Sequence, residues 1–317
     1  MKTRKKINII TAIMLGSLFS FTSCGSEEDT TDVITKDRAV VFSSVIGDVS
    51  ETPAAKTRAT LASTLGTDIG IMGYRYSGTW TGTTETPNFM YQVNATSTDH
   101  TNWTTATKYY WPNTDEHMRF FGYTPLSAFT GTNGTLSIKT ALGPTKFTSY
   151  TVPVNNADQQ DLMFGESTEY TCSNGGNVAL AFHHILSAIS FKSGNNVDGS
   201  IESIKLKGIP YIGTYTANTA TGGTWAVDAL PTEMPNEYTG NLSSTFLMIP
   251  QTLPSTAYVV ITYKDVNSNT QTLTYSLKNV VWNAGNAYEY SINIADNKAL
   301  LTPTIKAWTV VSGNIQY

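Results

Sequence analysis

The sequence predicts an all-β protein built as two tandem β-sandwich domains, and three observations carry that prediction. Charged residues are only 14% of the 317-residue chain, against about 25% in ordinary globular domains. Thr is abundant at 50 residues and is joined by many Tyr, Val and Ile, a composition suited to pleated, half-buried surfaces. Short runs of alternating apolar residues recur between clusters of Gly, Asn, Asp, Thr and Pro, which supply turn chemistry. No stretch sustains a long helical period, so a coiled coil or helical bundle is excluded. The length allows one large or two ordinary domains with their own cores. A pI near 5.6 and the lack of Lys/Arg clusters after Lys6 argue against a nucleic-acid partner.

The first residues read as an address. Lys2, Arg4, Lys5 and Lys6 form a basic start, and residues 7–21 an apolar run too short and interrupted for a membrane span. Thr22 and Ser23 then lead into Cys24. Phe-Thr-Ser-Cys resembles a bacterial lipobox, where signal peptidase II cuts before a Cys that carries lipid, although Phe21 stands where Leu is preferred. Residues 1–23 are therefore read as a lipoprotein signal peptide. Their removal takes four of the 20 basic residues and leaves 16 against 24 acidic, a formal charge of −8. Residues 24–37 are polar, carry the short acidic tract Gly25-Ser26-Glu27-Glu28-Asp29 directly behind Cys24 and read as a tether. That tract resembles the surface-export tether of outer-membrane lipoproteins in some Gram-negative groups.

Strands are expected next at 39–47, where Val40, Phe42 and Ile46 alternate with smaller neighbours, and at 69–76, 89–93, 108–111, 118–123, 134–139 and 150–154. A Pro-containing loop at 48–59 encloses Lys56-Thr57-Arg58-Ala59. A second series is expected at 178–182, 185–192, 201–207, 213–219, 245–249, 258–263, 270–277, 288–294 and 304–317. Helical scraps are expected only near 61–65 and 158–163. The glycine-rich 165–177 stretch suggests a junction, giving an N-terminal domain at 38–168 and a C-terminal domain at 169–317. With Cys24 assigned to lipid, Cys172 has no intrachain partner, and the fold must be held by its cores.

Signs of catalysis are missing. No metalloprotease, nucleophile-elbow, dinucleotide or phosphate-loop motif occurs, and neither a cofactor nor a metal is expected. His183 and His184 are neighbours in a strand-like run and should point to opposite faces, so they read as core or turn histidines. The six Trp and 17 Tyr suit core packing better than a sugar-stacking platform. An enzyme is not expected.

Several phrases, taken together, resemble the fimbrillin family, the Mfa-like or type V pilins. They are Asp-Ile-Gly-Ile-Met-Gly-Tyr at 68–74, Asn-Phe-Met-Tyr at 88–91, Tyr-Tyr-Trp-Pro at 109–112 and Met-Arg-Phe-Phe-Gly-Tyr-Thr-Pro at 118–125. In the second half come Asp-Leu-Met at 161–163, Leu-Ala-Phe-His-His-Ile-Leu-Ser at 180–187, Met-Ile-Pro-Gln-Thr-Leu at 248–253 and Trp-Asn-Ala-Gly-Asn-Ala-Tyr-Glu-Tyr at 282–290. The resemblance runs from about residue 40 to the C-terminus, and its specificity lies in the order and spacing of the set.

The resemblance implies two transthyretin-like sandwiches, export as a palmitate-bearing lipoprotein of the outer membrane, and a trypsin-like, Arg-specific protease as a partner. Cutting would fall between Arg58 and Ala59. It would free the strand of Val40, Phe42 and Ile46 and open a groove that the terminal strand of another fimbrillin subunit fills by β-strand addition. Ile305, Ala307, Val311 and Ile315 lie on the mainly apolar odd face of that terminal strand, while Trp308 and Val310 interrupt the polar even face. Residues 299–304 are the expected hinge, with Pro303 breaking the ladder. The function implied is a structural or accessory subunit of a surface fimbrium that supports adhesion. The alternative is a monomeric outer-membrane lipoprotein that binds glycan.

Overall fold

The computed structural model describes residues 38–46, 65–197, 199–218, 223–231, 236–295 and 298–308. Cys24, Arg58, Ala59, Val311 and Ile315 lie outside the described residues, as does all of the expected 61–65 helix except Leu65. Within them the regular structure is almost all strand, joined by one short α-helix at Leu126–Thr130 and by 3-10 turns at Asn156–Asp158 and Cys172–Asn174. The first half holds β1 (Val41–Ile46), β2 (Asp68–Tyr76), β3 (Met90–Thr96), β4 (Asn102–Thr105), β5 (His117–Thr124), β6 (Thr135–Leu136), β7 (Lys146–Thr151), β8 (Met163–Glu166) and β9 (Tyr170–Thr171). It continues through β10 (Asn177–His184), β11 (Ser187–Ser193), β12 (Ser200–Lys207), β13 (Ile212–Thr216), β14 (Thr224–Val227), β15 (Tyr238–Gly240) and β16 (Thr245–Met248). The last are β17 (Gln251–Thr252), β18 (Tyr258–Lys264), β19 (Thr270–Ser276), β20 (Val281–Trp282), β21 (Asn286–Ala295) and β22 (Lys298–Ala307).

The largest sheet closes on itself. Its order is β2-β3-β4-β1-β10-β8-β5, β5 pairs back onto β2, and β9 attaches to the start of β5. Closure removes exposed edges, which are aggregation hazards. Val40, Phe42, Ile69, Ile71, Trp103, Phe120, Leu180 and Phe182 fill the interior. A bare backbone makes room for the bulkiest of them: a Cβ at Gly122 or Gly165, which pair across β5 and β8, would stand 2.5 or 2.8 Å from the Phe182 ring.

Other residues of the same strands face outward into a second core. Met72 and Tyr74 of β2, Phe121 and Tyr123 of β5 and Phe164 of β8 pack there with Ile189, Ile204, Phe246, Ile261 and Tyr290. Strands buried on both faces need near-continuous apolar sequence, which is why Ile-Met-Gly-Tyr and Met-Arg-Phe-Phe-Gly-Tyr show weak alternation. The second core also lies between a β16-β11-β21-β22 sheet and a β15-β12-β18-β19 sheet, with a third sheet, β14-β13-β7-β6, alongside. The expected division after residue 168 falls between β8 and β9. The pairing carries β9 and β10 into the closed sheet and joins β7, from before that point, to β13.

Three local expectations are corrected. Residues 108–111 make only an isolated bridge, Ala39 to Tyr110. The helix expected over 158–163 does not form: a 3-10 turn at Asn156–Asp158, where the Asn155 side chain accepts from Ala157 N, reaches only its first residue, and the chain is extended again at β8. The supposed hinge at 299–304 is part of an unbroken β22, with Pro303 opposite Tyr290. The reason is register. Trp308 N donates to Gly285 O at 2.6 Å, so the even residues of β22 bond to β21 and the nitrogen of Pro303 faces the open edge, where no ladder bond is lost.

Candidate functional site

β1 is the element around which the candidate site is built. It lies between β4, antiparallel, and β10, parallel, with Val41 opposite Asn177 and Ile46 opposite Phe182. Alternation sends every second side chain inward. Val40 and Phe42 are buried, Phe42 at 2% exposure with its ring edge-on to Phe120 at 5.3 Å, while Val41 between them is 46% exposed. Ile46 is the last residue of the strand.

The inward row also contains a polar member that the sequence reading passed over. Ser44 is buried, accepts from the Trp103 indole at 2.8 Å and donates to His100 O at 3.2 Å. An apolar-only search could not find it, because the signal is a partner 59 residues away. At the other end Arg38 donates to Cys172 O at 2.6 Å, and Trp111 N donates to Arg38 O at 2.9 Å. Asn177 Nδ2 reaches Ser43 Oγ on the outer face at 3.1 Å. β1 is thus a six-residue plug, hooked at its start, with apolar, aromatic and hydroxyl groups filling one row.

Ile305 and Ala307 lie in β22, opposite Tyr288 and Asn286. Ile305 is 58% exposed although Tyr288 is buried, because β22 is the edge strand and the facing sheet does not cover it there. The two histidines do diverge. His184 is buried with Nδ1 2.9 Å from Asp161 Oδ1, and His183 Nε2 lies 3.2 Å from Tyr215 OH. Burial pushes the Glu166 carboxyl up to about 7 and also raises the Cys172 thiol, which keeps Cys172 from acting as a ready nucleophile.

Among the described residues no three His, Cys, Asp or Glu side chains gather as a metal site, and no helix is long and apolar enough to cross a membrane. Trp103, Trp111, Trp282 and Trp308 are buried. Trp80 and Trp225 are partly buried, and the Arg119 guanidinium lies 5.6 Å from the centre of the Trp80 ring. These six indoles are committed to packing rather than arrayed for stacking on sugars.

The model of the family described as fimbrillin-like matches residues 57–308. Among solved structures, a fimbrial protein from Bacteroides vulgatus is similar at a TM-score of 0.63 and 22% identity, over 86% of this chain and 100% of that one. Candidate cell adhesion proteins from Bacteroides uniformis and Bacteroides ovatus are similar at TM-scores of 0.54 and 0.51, with 18% and 17% identity. They cover 86% and 87% of this chain and 99% of their own. No curated protein sequence matches the chain.

Proposed function

The chain belongs to the fimbrillin-like family, and from that premise we propose that it is a structural or accessory subunit of a surface fimbrium, assembled by protease-triggered strand exchange and supporting adhesion. In this reading the precursor is exported to the outer membrane as a lipoprotein anchored through lipid on Cys24. An Arg-specific, trypsin-like protease then cuts between Arg58 and Ala59, and other fimbrillin subunits are the partners of the matured chain.

The observation that carries this reading is the placement of β1. It precedes the proposed cut, contributes Phe42, with Val40 just before it, to the interior of the closed sheet and is flanked by strands from later in the chain. Its departure would leave a slot between β4 and β10, with Trp103, Phe120, Leu180 and Phe182 exposed. Each large apolar side chain returned to water costs about 1.5–3 kcal/mol, so the opened subunit has a strong demand for a replacement strand. β-strand addition meets it with backbone bonds for affinity and alternate side chains for register. Because β22 already holds Ile305 and Ala307 against β21, the inserted residues are assigned to Val311 and Ile315.

Mass spectrometry of surface-purified protein tests the two ends of this pathway: lipid on Cys24 in the precursor, and a mature N-terminus at Ala59. The Arg58→Ala variant should fold and reach the surface but form no filaments. Wild-type filament yield from that variant would remove Arg58 from the mechanism.

A further inference from the structure

The first sheet closes on itself, but the three four-stranded sheets stay open and end on β16 and β22, β15 and β19, and β14 and β6. These edges differ in how much they offer another strand. β6, β14, β15 and β16 are four residues long or shorter, and a short edge is a poor template for pairing. β19 has seven residues, and its exposed ones are all Thr, Gln or Ser. β22 is the outlier. Its ten residues make the longest edge among the described residues, and Leu300 and Ile305 stand on opposite faces of it at 60% and 58% exposure. A long edge with exposed apolar side chains invites pairing with another chain.

That same strand holds Pro303, the only proline inside a strand among the described residues. Because the even residues of β22 bond to β21, the backbone of Ala299, Leu301, Pro303, Ile305 and Ala307 is turned to the open edge. Pro303 is the middle one of the five. It has no N–H to donate, and its ring stands where a partner strand would approach. Two outward residues remain on either side of it, 299 and 301 or 305 and 307, too few for a stable added strand. No register, parallel or antiparallel, engages more of the edge without meeting Pro303. Nor is β22 free to swing away. Leu301 is buried, and just past the end of the strand the Trp308 indole lies flat on the His184 imidazole, ring centres 4.2 Å apart. Residue 303 itself is exposed, so its ring adds little to the core.

We propose that Pro303 guards this edge against a second copy of the chain. Without the proline, the β22 strands of two subunits would pair antiparallel along their open edges in an isologous, two-fold contact. In the register centred on residue 303, Ile305 of each copy would stand opposite Leu301 of the other, two apolar residues in each half of the ladder. With the proline in place, the β16-β11-β21-β22 sheet of one subunit is not continued into that of the next, and subunits do not join side by side. The guard acts on the uncleaved and the cleaved chain alike, so it does not rest on strand exchange.

Amide exchange and light scattering on the uncleaved full chain test the guard. In the wild type, Ile305 N–H faces the open edge and should exchange about tenfold or more faster than Thr304 N–H, which joins the ladder to β21. Pro303→Val supplies the missing donor and a side chain suited to a strand. It should convert the monomer into a concentration-dependent dimer and slow exchange at Ile305 by about tenfold or more as the dimer fills. Adding Ile305→Pro returns a proline to the same edge, again at a position where no ladder bond is lost, and should restore the monomer. Ile305 protected as strongly as Thr304 in the wild type would mean that the edge is already covered, and would overturn the inference. So would a Pro303→Val chain that stays monomeric at every concentration, one that dimerises without slowing Ile305, or a dimer that survives Ile305→Pro. The wild-type exchange pattern needs no variant, and Pro303→Thr repeats the comparison should Pro303→Val not fold.

Discussion

β1 and β22, the first and last strands described, are held in opposite ways. β1 is interior to its sheet, paired on both sides, and one row of its side chains is sealed in the core. β22 is an edge strand paired on one side over ten residues, and residues 302–306 are exposed. Side-chain burial dominates the first case, and a backbone ladder with two buried anchors, Leu301 and Trp308, dominates the second. A strand whose stability comes from burial leaves a demanding vacancy when it goes. A strand held by its ladder can carry a tail without disturbing the core.

The largest effect that separates the two strands should come from Phe42→Ala. Removing a fully buried ring from a packed interior costs about 3–5 kcal/mol, and denaturant unfolding of the uncleaved precursor measures it. A loss below 1 kcal/mol would mean that β1 is not a plug. Leu301→Ala should cost about 2–5 kcal/mol, because Leu301 is the buried anchor within β22, and the same titration checks it. Ser44→Val comes next. It fits the slot but leaves the Trp103 indole without its acceptor, a penalty of about 1–3 kcal/mol. A neutral result would mean that water reaches that indole.

Glu166 gives a smaller, pH-dependent contrast. It lies on β8, opposite Ala181 of β10, with Oε2 buried and unpartnered among the described residues. Burial lifts its carboxyl from 4.5 in the unfolded chain to about 7 in the folded one. The folded state therefore binds the extra proton, and its stability falls as pH rises from 4.5 through 7 and then levels off. Glu166→Gln removes that decline. It should leave stability at pH 4 nearly unchanged and raise it at pH 8 by about 1–2 kcal/mol once solvent screening is allowed for. Parallel pH profiles for the two proteins would mean that the carboxylate is already satisfied in the folded state.

Much of this was legible in the sequence because period-2 alternation and turn residues are local signals. β2, β5, β10, β12, β18 and β21 fall close to where the apolar runs place them, and Val40 and Phe42 face the core as the alternation requires. Long-range information was not legible. Ser44 reads as an ordinary polar strand residue until Trp103 is beside it, and His184 as a core histidine until Trp308 and Asp161 meet it. Pro303 was misread for a related reason. Proline blocks a ladder only when its nitrogen faces a partner strand, and which way it faces depends on the register with β21. Closure of the first sheet likewise depends on β10 crossing back to β1, a pairing of residues more than 130 positions apart.

Ile305 provides the finest cut of the comparison. It has the apolar character of a core residue and stands opposite the buried Tyr288, but it is 58% exposed at the open edge. Substitutions at exposed positions without special contacts usually change stability by less than about 0.5 kcal/mol, and Thr retains the β-branched shape that suits a strand. Ile305→Thr should therefore leave the unfolding midpoint almost where it was. If exchange begins after Trp308, the same variant should also leave filament yield unchanged, whereas Val311→Asp should abolish it and Ser312→Asp should not. A sharp loss of filaments from Ile305→Thr, with stability intact, would place Ile305 inside a neighbour's groove. β22 would then have to leave β21 during assembly, and the distinction between a resident strand and a donated tail would move upstream of Trp308.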